Sequence, residues 1–309
     1  MNWKKRIVSL ALAAVIGLST FLASGVEAEA AGAIAKGIDV SKYQGAINWS
    51  AVAAEGYSFA FIKVGSAKSG LDPYFAANMV GANAAGLKTG VYLYSYATTV
   101  EAAMAEAQFT LSAIAPFTVS MPVVFDLEGA VHKTMTPEQL QALTVVFCSI
   151  IQSAGYQPMV YSSKNWLTQR VGPIPFDVWV AQYAEACEYP NPAFWQFSNS
   201  GTVSGIDGRV DLNFQFKDYS NIIIPYGFTT RGGNTYFYNN YRMQYGWVDY
   251  EGNRYFMNAD GTLYTNGWLT DGVNTFYMET KDGHMLHDLV NIQGKNYYFD
   301  VNGFMQKGF

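Results

Sequence analysis

Between about residues 34 and 217 the chain repeats one unit, a short apolar run of strand length followed, in the first part, by a stretch of helix length. The runs at 37–40, 59–64, 89–95, 122–126, 159–162, 178–181, 194–197 and 209–213 carry few polar residues, as strands buried on both faces do. Helices are expected at 73–85, 100–115 and 137–154, the last with Thr136 as N-cap and Pro137 at the first helical position. Eight strands alternating with helices is the pattern of a closed β/α barrel. After Tyr161 only a short helix at 164–169 is expected, and the strands follow one another too closely for full crossover helices. The predicted fold is α/β, a TIM-like barrel with an irregular, helix-poor second half.

Four acids punctuate these runs: Asp39 in GIDVSKYQG, Asp126 and Glu128 in MPVVFDLEG, and Asp211 in GRVDLNF. Each is placed at or just beyond the C-terminal end of its strand, the face on which such barrels build active sites. Acids at strand ends also cap helices or simply face water, a reading that fits any one of them better than all four together. In FDLE the two acids are two residues apart, so an extended backbone turns both side chains to the same side, with Cα atoms roughly 6.5 Å apart. Neighbouring carboxyls do not ionise independently. One is held towards its protonated form and can donate a proton while the other stays charged, the division of labour that glycoside hydrolysis requires.

The first thirty residues read as an address. Lys4, Lys5 and Arg6 precede an apolar run at 7–26, and Ala28 and Ala30 offer small-residue cleavage sites, the features of a secretory signal peptide spanning 1–30. The expected location is outside the cytoplasm. A net charge of −5 disfavours nucleic-acid binding. Secretion permits a disulfide between the two cysteines, but Cys148 falls on the apolar face of a helix-like run, where a buried thiol is ordinary. His284 and His287 lack a helix and a third ligand, so no metal is expected. His132 is assigned to a loop, and no cofactor is expected.

From Tyr226 the texture changes to Gly, Asn and aromatic residues. Gly227-Phe228, Gly246-Trp247 and Gly267-Trp268 recur at a period of about 20 residues, and Asp288-Leu289 and Gly308-Phe309 continue the register. Each unit carries an aromatic pair: Tyr236-Phe237, Tyr255-Phe256, Phe276-Tyr277 and Tyr297-Tyr298. Short period, Gly turns and paired aromatics predict a solenoid of β-hairpins over 226–309, joined by a linker at 218–225 to a barrel at 34–217.

The first region resembles glycoside hydrolase family 25, the N-acetylmuramidase lysozymes of the Chalaropsis type. The resemblance rests on G-I-D-V-S-x-x-Q-G, F-I-K, D-P-Y-F-x-x-N, G-V-Y, the D-x-E pair, Y-S-S, W-V-A-Q-Y, W-Q-F-S and V-D-L-N, in that order. It implies cleavage of the β-1,4 bond from N-acetylmuramic acid to N-acetylglucosamine in peptidoglycan. Glu128 is then the general acid/base, and Asp126, Asp39 and Asp211 complete the catalytic cluster. Asp126 serves either as nucleophile or as the group that orients the substrate's own acetamido. Candidate sugar contacts are Tyr94, Tyr96, Tyr161, Trp179, Gln182, Tyr183, Trp195 and Gln196, with Tyr94 and Trp195 foremost. The chain departs from many relatives at Lys63-Val64-Gly65-Ser66 and at Tyr94-Ser95-Tyr96, which places the outer subsites in question.

The second region is similar to choline-binding and glucan-binding wall repeats, which implies a wall polymer or glycan partner through Trp247, Tyr255, Trp268, Tyr277 and Tyr298. Choline is not the favoured ligand, because Thr235, Arg254, Thr275 and Asn296 precede the aromatic pairs where its cages commonly carry Trp. The resemblances together imply a secreted wall hydrolase of a Gram-positive bacterium, autolysin or endolysin. The alternatives are a non-catalytic wall-binding scaffold and a glycosidase acting on another polysaccharide.

Overall fold

The computed structural model describes residues 31–307, so the expected signal peptide and the final Gly-Phe lie outside the described residues. Eight strands close into a barrel: β1 (Ala35–Val40), β2 (Phe59–Ser66), β4 (Lys88–Tyr94), β5 (Val123–Asp126), β6 (Pro158–Ser163), β7 (Asp177–Ala181), β8 (Phe194–Gly201) and β9 (Val210–Gln215), with a two-residue β3 (Gly70–Leu71) attached to β2. The pairing of β1 with β2 completes the ring. Around it lie α1 (Trp49–Ala54), α2 (Phe75–Ala84), α3 (Val100–Ile114) and α4 (Pro137–Ser153). The last begins with the expected capping box, in which Thr136 and Gln139 satisfy each other's backbone N–H groups. After β6 a three-residue helical turn and a five-residue π-type turn are all that remains of helix.

One strand departs from the all-parallel barrel. β9 runs antiparallel to both β8 and β1. No helix lies between β8 and β9, and a connection that short can only return the chain antiparallel.

Period-two alternation sorts the strand residues into two layers. On β2, Ala60, Ile62 and Val64 face the helices, where Phe147 of α4 stacks on Phe125 at 4.5 Å. Phe59 and Phe61 face the lumen with Val124, Met159, Tyr161, Trp179 and Phe194. The rings fit because Gly37 and Gly90 line the same space, and a Cβ at either would lie 2.4 Å from Phe59 or 2.3 Å from Phe61. Each buried aromatic side chain stabilises the fold by roughly 1.5–3 kcal/mol.

The segment expected to be a linker is packed. Tyr219 and Ile223 join the lumen cluster, and the Tyr219 ring stacks on Phe194 while its hydroxyl donates to Asp177 at 2.7 Å. Lys217 pairs with the same carboxylate at 2.7 Å. A chain ending at Lys217 would lose this floor of the barrel.

Beyond it lie a three-stranded hairpin sheet, β10 (Tyr226–Arg231), β11 (Asn234–Asn239) and β12 (Arg242–Met243), and three further hairpins, β13 (Gly246–Tyr250) with β14 (Asn253–Met257), β15 (Trp268–Thr270) with β16 (Thr275–Tyr277), and β17 (Asp288–Ile292) with β18 (Lys295–Phe299). Successive units are tied by backbone bonds of one kind, Leu263 N–H to Thr235 O, Met285 N–H to Arg254 O and Met305 N–H to Thr275 O, at 2.7–2.8 Å. The first unit also touches the barrel, where Met243 N–H donates to Gly155 O at 2.9 Å and the Tyr245 hydroxyl to Gln152 O at 2.7 Å. Both cysteines are free thiols.

Candidate active site

The four acids meet at one mouth of the barrel, in a cleft of about 470 Å³. Asp39 is the last residue but one of β1 and Asp126 ends β5, close to where the strand pattern predicts. Asp211 arrives by the opposite route: it is the second residue of β9, and only because that strand is reversed does it pair with Asp39 at the same rim. Past β5 the backbone stays extended enough to alternate, since Leu127 is buried in the helix-facing core while Asp126 and Glu128 both line the cleft. Tyr94, Asp126, Tyr161 and Trp179 are register partners across β4 to β7, so one row of inward side chains forms the cleft wall.

Asp39 is the best-held acid. Its Oδ2 accepts from Gln196 Nε2 at 2.9 Å and Asn213 Nδ2 at 2.8 Å. Each amide is fixed in turn, Gln196 Oε1 accepting from the Tyr161 and Tyr183 hydroxyls at 2.9 and 3.0 Å, and Asn213 Oδ1 from Trp179 Nε1 at 2.8 Å. Asp39 also shares a hydrogen bond with Asp211. Burial first and the Asp211 charge second raise its pKa well above the usual 3.8.

Asp126 is buried as well, and its Oδ1 accepts no hydrogen bond from the described residues. Burial and the charge of Glu128 push its pKa up, and Lys63 opposes them. Glu128 reaches the open side of the cleft, where partial loss of water raises its pKa against the pull of Lys63. Burial and the same acids lift Tyr94 to about 12, so its hydroxyl stays a donor. The cleft therefore holds two neighbouring pairs of carboxyls, each member with its pKa raised by loss of water. That is the equipment for protonating a leaving oxygen while keeping one carboxylate charged.

Not every expected sugar contact is there. Tyr94, Tyr96, Tyr161, Trp179, Tyr183 and Gln196 line the cleft; Trp195 and Gln182 do not. Trp195 is 0% exposed, packs outside the barrel with Leu167, Val178 and Val180, and donates its Nε1–H to Gln182 O at 2.7 Å. The Gln182 side chain accepts from Glu188 N–H at 3.0 Å and so closes a loop. Neighbouring strand residues face opposite ways, so 195 and 196 cannot both face the lumen, while Gln182 lies just past the end of β7. The same parity rule, applied along Phe59, Phe61 and Lys63, would have placed Lys63 in the cleft, where its Nζ lies 4.8 Å from the Tyr94 ring centroid. Asn199 and Tyr43 are further lining residues that the motifs did not include, and Tyr92, the last residue of G-V-Y, lines the cleft as well.

Behind the cleft, Glu106 of α3 accepts from the Ser95 hydroxyl at 2.7 Å and Tyr96 N–H at 2.8 Å, which fixes the loop that presents Tyr96. His132 is buried in the 3-10 turn Ala130–Thr134, with Nε2 2.9 Å from Ala97 O.

Residues 38–206, more than half of the chain, match the glycosyl hydrolases family 25 profile. The chain belongs to glycosyl hydrolase family 25. Lysozyme M1 of Streptomyces globisporus is 30% identical over 198 residues, which cover 58% of this chain and 66%, just under two thirds, of that protein. The bacterial lysozyme of Streptomyces coelicolor superposes with a TM-score of 0.51 at 27% identity, covering 60% of this chain and 93% of the other. The modular autolysin LytC of Streptococcus pneumoniae, solved with a synthetic peptidoglycan ligand, gives 0.53 at 29% identity over 58% of this chain and 46% of its own. The family 25 match lies on the barrel and includes three of the four acids; Asp211 is five residues past its end.

The state of the Asp39 pair in this family 25 barrel has a measurable consequence. A carboxyl whose folded pKa is raised adds most to stability below its usual 3.8 and loses that contribution as pH climbs through the raised value. Asn at position 39 mimics the protonated acid, with its oxygen accepting both amide donors and its NH₂ facing Asp211. Asp39→Asn should therefore raise the melting temperature at pH 7 by about 2–4 °C per kcal/mol relieved, with the gain vanishing near pH 3. Thermal unfolding across that range is the check, and a lower melting temperature at pH 7 would show that Asp39 is held as a stabilising anion.

Proposed function

We propose that this family 25 protein is a muramidase that cleaves the β-1,4 bond from N-acetylmuramic acid to N-acetylglucosamine. The observation that carries the reading is the cleft itself, in which two pairs of carboxyls with raised pKa values stand beside a wall of tyrosines. Glu128, at the open side, protonates the leaving glycosidic oxygen and then activates water. Asp126, with an unused oxygen aimed inward, is the nucleophile or the group that holds the substrate's acetamido. Asp39 and Asp211 bind hydroxyls or water. Clustered buried carboxyls lower stability without some gain in function, which weighs against a mere scaffold. Mass analysis of fragments released from purified peptidoglycan tests the bond: reducing-end muramic acid is expected, reducing-end glucosamine reassigns the cleaved bond, and no fragments makes the barrel a scaffold.

The catalytic unit in this reading is 34–217 completed by the packed 218–225, and 226–309 is a hairpin solenoid that holds the enzyme to a wall polymer outside the cell. Of the ring candidates, Trp247 serves packing, lying 5.1 Å from Phe256 and 4.8 Å from Phe276. Tyr255 lines a second cavity of about 470 Å³ with Phe228, Thr235, Lys281 and Asp282. Trp268 remains 39% exposed while braced edge-on by Tyr277 and Tyr297, each at 4.9 Å, and Tyr298 is half-buried on β18. Trp268→Ala should weaken co-sedimentation with purified walls by about tenfold, as loss of one stacking ring does. Unchanged sedimentation of the folded variant would leave Trp268 a structural residue.

A further inference from the structure

Beside the catalytic cleft lies a second pocket of about 320 Å³, lined by Lys42, the β2–β3 turn with Ser66 and Ser69, and four residues shared with the cleft: Tyr43, Lys63, Tyr94 and Tyr96. The shared residues make the two spaces one continuous trough. Their charges are opposite. The cleft is lined by four carboxyls and a single lysine. The pocket is lined by Lys42 and Lys63, Lys68 lies against its lining residue Tyr96, and each ammonium stands over a tyrosine ring: Lys42 at 5.4 Å from Tyr43, Lys63 at 4.8 Å from Tyr94 and Lys68 at 4.9 Å from Tyr96. None of the three belongs to an ion pair among the described residues.

The single acid of the pocket, Asp72, is already committed. Its Oδ2 accepts from Lys42 N–H at 2.9 Å and its Oδ1 from Tyr74 N–H at 3.0 Å, so it anchors the backbone beneath the lysine. The Ser66 and Ser69 hydroxyls lie 2.7 Å apart in the turn between β2 and β3, and both line the pocket. Lys42 and Lys68 thus present ammonium groups with no acid in an ion pair among the described residues, and Lys63 stands between them and the acids of a cleft that repels anions. Neutral sugar hydroxyls have little use for three ammonium groups, whereas a carboxylate accepts charge-assisted hydrogen bonds from them. An anionic substituent is thereby drawn to one end of the trough and excluded from the other.

We propose that this pocket is a subsite for a free carboxylate of the peptide stem carried by the peptidoglycan strand, and that it fixes the direction in which the strand lies across the four acids. The inference rests on the muramidase reading and names a preference within it. It also makes use of the stretch Lys63-Val64-Gly65-Ser66, where the chain departs from many relatives.

The test compares three defined substrates: glycan strands bearing stems with free carboxylates, the same strands with those carboxylates amidated, and stem-free strands whose lactyl carboxylate is exposed. Wild-type protein should favour free over amidated stems by about fivefold in kcat/KM, the upper range for solvent-exposed ion pairs, with the difference in KM. In the double variant Lys42→Met, Lys68→Met the ratio should fall towards one, and Lys42→Arg, Lys68→Arg should restore it. Equal use of free and amidated stems by the wild type, or an unchanged ratio in the methionine variant, overturns the subsite. A matching preference for stem-free strands assigns the pocket to the lactyl group and overturns the stem assignment. Binding of the same strands to Glu128→Gln protein reads the pocket without turnover. Cleavage of none of the strands sinks the muramidase reading, while the binding ratio still decides the subsite.

Discussion

Glu128→Gln is expected to leave a folded protein that releases peptidoglycan fragments about 10²–10⁴-fold more slowly than the wild type. The side chain projects into the open cleft and takes no part in the core, so an amide of the same shape has nothing to disrupt. What it removes is the proton. Protonation of the leaving oxygen in the transition state carries a rate factor of that size, and the amide cannot supply it. Fragment release measured alongside circular dichroism decides the matter. A folded variant retaining more than about a tenth of the activity would move the acid role to another carboxyl of the cluster.

Asp126→Asn should lower the rate at least about 100-fold and also shift its pH dependence. Asp126 is the more deeply buried member of the pair, and Glu128 is the largest charge acting to keep it protonated. The two therefore titrate as a unit, with the last proton held tightly because losing it would leave two adjacent negative charges. With Asn at 126 that repulsion is gone, and Lys63 still favours the Glu128 anion. The sign follows: Glu128 gives up its proton at lower pH, so the alkaline limb of residual activity moves down. A reduced rate with an unmoved alkaline limb would show that the carboxyls titrate separately.

Much of this site was legible before folding. The count of apolar runs gave the closed barrel, the Thr136 cap and Pro137 gave the start of α4, and the D-x-E spacing gave two acids on one side of an extended strand, because each depends on residues near in sequence. Parity along a strand is equally local, and it admits Lys63 to the cleft and excludes Trp195. Other features were beyond reach. That Asp211 meets Asp39 depends on the reversal of β9, a property of how the last strand closes the ring. That Tyr219 floors the barrel depends on Phe194, on which its ring stacks, and on Asp177, which its hydroxyl reaches, both brought there by strands distant from it in sequence.

The sequence by itself determined the strands, the helix caps, the hairpin period and which residue types were available for acid chemistry, since these are set by neighbours along the chain. Only the tertiary structure decided which carboxyls stand in pairs, which tyrosines face them and where the lysines collect. A pKa or a pocket depends on water excluded and charges brought together by residues far apart in sequence.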